Sequence, residues 1–130
     1  MRTANLPETL VGACLCGCVR FEVRTPVLKF VACRCSRCRK SSGSSHATNL
    51  AVPPHQFVWL SGESSVTRFE LRTAARFGRC FCAVCGAPVP RLARDGEFVI
   101  VPAGAIETEF QLTAEQLHTE SAAAWDALGA

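Results

Sequence analysis

The stretch Cys33-Arg34-Cys35-Ser36-Arg37-Cys38-Arg39-Lys40-Ser41-Ser42-Gly43 puts three thiols within six positions, with no histidine or acid among them. A tetrahedral metal bound there takes three local sulfurs, and its fourth position falls to a distant residue, a water or a substrate. An open fourth position is what separates a working zinc site from a structural one. The chain therefore has to fold around this cluster and either supply the missing ligand or leave it open.

Four more cysteines come as two short pairs, Cys14-x-Cys16 and Cys82-x-x-Cys85, which bracket the triad in sequence. The ends of a β fold can lie close in space, so these four thiols can close one tetrahedral site. Four thiolates at about 2.3 Å leave nothing open, so such a site stabilises a fold and does no chemistry. A disulfide framework fits poorly: the nine cysteines are odd in number, no export signal precedes them, and C-x-C pairs make awkward disulfides. Candidates for the fourth ligand of the triad are Cys18, Cys80, a histidine or an exogenous thiol. Cys18 and Cys80 read more simply as small buried hydrophobes. His46, His55 and His118 read as ordinary histidines, with His46 nearest the triad in sequence.

At 130 residues, with 48% hydrophobic and 19% charged residues, the chain is expected to form one ordered domain. Its expected division is a loose lead-in over 1–11 and a zinc-binding domain over 12–130. No run approaches the roughly 20 apolar residues of a membrane span, and no basic segment leads into an apolar one near the start. A soluble, cytoplasmic protein is expected, with no membrane partner. The formal charge of +3 counts thiols as neutral; seven thiolates on two zinc ions would cancel it. Arg34, Arg37, Arg39, Lys40 and Arg79 can offset thiolate charge and hold thiols deprotonated, or form a solvated basic face. A nucleic-acid partner does not follow from that charge.

Val19, Phe21 and Val23 alternate with Arg20, Glu22 and Arg24, the period of a half-buried strand. A second strand is expected from Leu28 to Cys33. Ser36 is placed to cap one helical turn through Lys40, stopped by the Ser/Gly run at 41–45. Further strands are expected at Ala47–Val52, Phe57–Leu60, Val66–Leu71 as antiparallel partner of the last, Phe77–Phe81, and a hairpin of Val89–Leu92 with Phe98–Val101 across Asp95-Gly96. A helical turn around Trp125 is expected within Ser121–Ala130. The fold class is mainly β, a single domain of short antiparallel strands.

Gly12-x-Cys14-x-Cys16-Gly17, Cys33-x-Cys35-Ser36-x-Cys38-Arg39-Lys40 and Phe81-Cys82-x-x-Cys85-Gly86 together resemble the glutathione-dependent formaldehyde-activating enzyme family, which includes centromere protein V-like proteins. Phe57-x-Trp59-x-x-Gly62, Ala103-Gly104, His118 and Trp125 resemble further landmarks. Arg34 stands where many members carry histidine, and Ala123-Ala124 where lysine-proline is common. The resemblance implies a zinc β fold shared with Rab-interacting exchange-factor-like proteins, with Cys14, Cys16, Cys82 and Cys85 on a structural zinc. It also implies a second, catalytic zinc on Cys33, Cys35 and Cys38, whose open position accepts the thiol of glutathione. The implied activity is that of a carbon–sulfur lyase handling an adduct such as S-hydroxymethylglutathione. Backbone N–H groups of the Ser41–Ser45 loop, Ser42 and Gly43 among them, are expected to meet the ligand's carboxylates. The competing readings are a non-catalytic zinc module for a protein or nucleic-acid partner, and a thiol redox sensor.

Overall fold

The computed structural model describes residues 6–127. Along the chain run β1 (Thr9–Ala13), β2 (Arg20–Arg24), β3 (Lys29–Cys33), α1 (Ser36–Ser42), β4 (Ala47–Val52), β5 (Phe57–Ser61), β6 (Val66–Glu70), β7 (Gly78–Cys82), β8 (Pro88–Val89), β9 (Arg91–Leu92), β10 (Val99–Pro102) and β11 (Glu115–Leu117). They form three sheets, ordered β1-β2-β5, β11-β3-β4-β10-β9 and β6-β7-β8. The mainly β fold class expected from the sequence is what forms. Its ladders are antiparallel except for β11 on β3, which is parallel.

The alternation in β2 buries Phe21 and Val23 and leaves Arg20 and Arg24 exposed. Those two side chains join Leu10, Phe30, Leu50, Val52, Val99 and Val101 in one core between the first two sheets. Fully burying a side chain of this kind contributes about 1.5–3 kcal/mol. A second cluster is sulfur-rich: Cys14, Val19, Cys80, Cys82 and Val89 pack where the third sheet meets the turn after β1. No helix among the described residues is long and apolar enough to cross a membrane.

Four local expectations are corrected. The lead-in is shorter than 1–11, because Thr9–Val11 pair with β2 and Leu10 is fully buried. The expected hairpin of β5 with β6 does not form: β5 pairs with β2, and β6 pairs with β7. Between them Gly62 sits at φ +77°, where a Cβ would lie 2.1 Å from the Cys18 carbonyl oxygen, so the chain turns against the Cys18–Val19 backbone and passes to another sheet. The cap of α1 is Cys35 rather than Ser36, and the helix runs on to Ser42. Of the helical turn expected after Ser121, the described part holds a 3-10 turn at Thr119–Ser121 and a plain turn at Ala124–Trp125, while residues 128–130 lie outside the described residues.

Candidate metal centres

The first centre is assembled by two tight turns. Cys14 follows β1 and its carbonyl accepts from Gly17 N–H at 3.1 Å. Cys82 ends β7, opposite Val66 of β6, and its carbonyl accepts from Gly86 N–H at 2.7 Å. Backbone N–H groups of Val19 and Val84 point at the sulfurs of Cys14 and Cys82, at 3.2 and 3.4 Å. The Sγ atoms of Cys14, Cys16, Cys82 and Cys85 all lie within 4.8 Å of one another. Cys14–Cys16 and Cys16–Cys82 are 3.6 and 3.9 Å apart. A tetrahedron with metal–sulfur bonds of about 2.3 Å has edges of about 3.8 Å. The four sulfurs thus fit a closed thiolate site.

Thiols this close share protons. Backbone N–H donors, the Ala87 contact first and then that of Cys16, pull Cys85 down to about 6. Cys16 is exposed, and although a backbone hydrogen bond at Cys18 favours its thiolate, local desolvation and its contacts with Cys14, Cys85 and Cys82 push it up to about 12. A metal ion is the group that lets all four ionise together, because ligand thiols bind deprotonated.

The second centre stands at the junction of β3 and α1. Cys33 ends β3, held between Ala47 of β4 and Leu117 of β11. Cys35 caps the helix, its Sγ accepting from Cys38 N–H at 3.4 Å. The Sγ atoms of Cys33, Cys35 and Cys38 are mutually within 4.8 Å, and among the described residues this group has three members. Burial, reinforced by hydrogen bonds with Cys33 and Cys35, pushes the Cys38 thiol far up. Burial also raises Cys33, whereas in Cys35 it is outweighed by the Cys38 N–H and neighbouring thiols, which lower it.

Neither spare cysteine joins a centre. Cys18 Sγ lies 3.4 Å from Ser65 Oγ, and Cys80 is buried in the sulfur-rich cluster. His118 Nδ1 faces Glu120 Oε1 at 3.3 Å, and His55 is exposed in the turn before β5. Arg34 does not offset thiolate charge as expected. Its guanidinium is buried against Asp126 Oδ2 at 2.8 Å and donates to Gln116 Oε1.

A cleft of about 680 Å³ carries Cys14 of the first centre and Cys38 of the second on its wall, together with Ser42, His46, Arg79 and Arg91. Of the two residues expected to meet ligand carboxylates, Ser42 lines it and Gly43 does not. Gly43 is the left-handed C-cap of α1, and its N–H is committed to the Arg39 carbonyl at 2.8 Å. His46, which the sequence marked only by nearness to the triad, stands on the wall with Nδ1 2.7 Å from Ser45 Oγ. Arg91 carried no sequence signal, because a two-residue strand has no readable alternation.

Residues 9–123 match the family described as glutathione-dependent formaldehyde-activating enzyme. The chain belongs to that family. A Halomonas elongata protein, provisionally named a glutathione-dependent formaldehyde-activating enzyme, is 33% identical over 117 residues, covering 84% of this chain and 73% of its own length. Among solved structures, a Rhodobacter sphaeroides protein superposes with a TM-score of 0.61 at 24% identity, over 77% of this chain and 90% of that one. That second likeness is one of fold. In this glutathione-dependent formaldehyde-activating family member, both cysteine groups and the cleft lie inside the matched span.

Proposed function

We propose that this protein is a zinc-dependent enzyme of carbon–sulfur lyase type, making or breaking the adduct of a small thiol, glutathione first, with an aldehyde such as formaldehyde. In this reading Cys14, Cys16, Cys82 and Cys85 hold a structural zinc, and Cys33, Cys35 and Cys38 hold a second zinc at the working site. The observation that carries it is a three-thiol group without a fourth protein sulfur among the described residues, one of whose members, Cys38, lines a cleft large enough for a small ligand. Zinc bound there would lower the pKa of a thiol joining it, making the thiolate available at neutral pH.

The reaction balances without a further reagent. The thiol sulfur bonds to the aldehyde carbon, the carbonyl π pair moves to oxygen, and that oxygen takes the proton the thiol gave up. The reverse breaks the same carbon–sulfur bond. His46 is the imidazole of the cleft wall, and with Nδ1 held by Ser45 Oγ its other ring nitrogen is free to carry that proton. Ser42 spends its hydroxyl on the His46 carbonyl at 3.0 Å, which fixes the loop that presents the histidine. A reducing cytoplasm suits thiol ligands of this kind.

Native mass spectrometry with and without glutathione tests the reading. The expected result is two zinc ions per chain and a glutathione adduct that disappears in Cys35→Ser. One zinc and no adduct would sink it and redirect attention to a macromolecular partner.

A further inference from the structure

The cleft's basic wall comes from Arg79 of β7 and Arg91 of β9, and the guanidinium groups in and around it are not equivalent. Arg68 and Arg94, nearby, are both paired with an acid. Their Nε atoms reach Glu70 at 2.8 and 3.5 Å; Arg68 Nη2 donates to the Leu92 carbonyl, Arg94 Nη1 to that of Ala74, and Arg94 Nη2 to those of Leu71 and Phe77. On the wall itself, Arg79 donates to the Ser41 carbonyl, which orients it without neutralising it. Glu107, the acid on the wall, faces Arg20 at 3.7 Å.

Arg91 differs from all of these. Its Nη1 is shielded from solvent and has no hydrogen-bond partner, and among the described residues its side chain forms no ion pair. Burial, the largest effect, and repulsion from Arg68 both disfavour its charge. The Glu70 carboxylate favours that charge from a distance but is engaged by Arg68 and Arg94, and a partly desolvated guanidinium with a buried nitrogen left unpaired requires an explanation. Here the side chain lines the same cleft as Cys38, so the counter-charge can arrive with a ligand.

We propose that Arg91 is a specificity-determining residue that binds a carboxylate of the thiol ligand, so that the cleft selects a thiol carrying an acidic, peptide-like arm over a plain thiol. This rests on the thiol-binding role proposed for the triad. The guanidinium fork matches a carboxylate with two parallel hydrogen bonds, an arrangement that lysine cannot reproduce. A carboxylate at Arg91 and a sulfur at the triad would hold the ligand by two separated points.

The test is calorimetric titration of the zinc-loaded protein with three probes: glutathione, S-methylglutathione, which keeps both carboxylates but lacks a free thiol, and 2-mercaptoethanol. Arg91→Gln is expected to weaken both peptides at least about tenfold, with 2-mercaptoethanol unchanged and Arg91→Lys intermediate. Equal affinity of wild type and Arg91→Gln for S-methylglutathione would overturn the proposal, as would a matching loss of 2-mercaptoethanol. If Arg91→Gln fails to fold, Arg91→Lys decides: undiminished S-methylglutathione binding overturns the proposal. The two readings separate cleanly. Arg91-dependent S-methylglutathione binding without Cys35-dependent 2-mercaptoethanol binding would retain the carboxylate subsite and remove the thiol site, and the opposite pattern would do the reverse.

Discussion

Arg34 Nε lies 2.8 Å from Asp126 Oδ2, pinning the residue between Cys33 and Cys35 to the last described stretch of the chain. Both side chains are nearly buried, at 7% and 10% exposure, and Arg34 N–H also donates to the Leu117 carbonyl at 3.0 Å. The loop that carries the triad is thus fixed from outside the triad.

Removing one partner of that pair leaves a buried charge unpaired, so Asp126→Ala should cost about 3–5 kcal/mol in urea unfolding. Replacing both, as Arg34→Met with Asp126→Leu, should recover much of that loss. If the single variant unfolds at the wild-type midpoint, the pair does not hold the loop.

If both centres hold zinc as proposed, they should part with it in order. A site with four protein thiolates outlasts one with three, so a graded chelator challenge should remove one zinc while the far-ultraviolet circular dichroism spectrum stays native, and the second only with loss of structure. Acidification should act in the same direction. In the metal-free triad the Cys38 thiol is pushed up and holds its proton, so capturing zinc must expel it and affinity falls as pH falls. Chromophoric chelator competition at several pH values checks the sign.

Cysteine replacements divide by location. Cys14→Ser or Cys85→Ser should give insoluble or unfolded protein, read as soluble yield and melting temperature. Cys35→Ser should stay folded and lose thiol binding, while Cys18→Ala should keep the full zinc content.

Gly62 and Gly43 both adopt positive φ, but only Gly62 is walled in. A methyl at Gly62 meets the Cys18 carbonyl, whereas nothing lies within 4 Å of one at Gly43. Gly43→Ala should cost about 1–2 kcal/mol from the left-handed conformation alone, and Gly62→Ala clearly more, by thermal or urea denaturation.

His46→Gln should lower turnover of a thiol–aldehyde adduct by about 10²-fold or more while zinc content and glutathione affinity stay close to wild type. Undiminished turnover would remove the imidazole from the proton path.

Local signals in the sequence read well. Alternation in Arg20–Arg24 gave the strand and its buried face, and Asp95-Gly96 marked the hairpin of β9 with β10. The thiol groups followed from spacing, since two or three ligands on one turn are encoded within a few residues. The partner of β5 was not legible: a glycine turn joins two adjacent strands equally well whether they pair or diverge, and the crowding of Gly62 against Cys18 is a contact across 44 positions of the chain.

By itself, then, the sequence determined a β-rich chain, two candidate metal centres and the family. Tertiary structure decided what surrounds them. It turned Arg34 from an apparent surface cation into a buried anchor, through partners 82 and 92 residues away. It also left Arg91 Nη1, on a cleft-lining residue, without a hydrogen-bond partner while pairing Arg68 and Arg94 with Glu70. The physical reason is the same in both cases. Metal-ligand spacing and strand period are properties of neighbouring residues, whereas the cost of a charge depends on which distant groups the fold brings beside it.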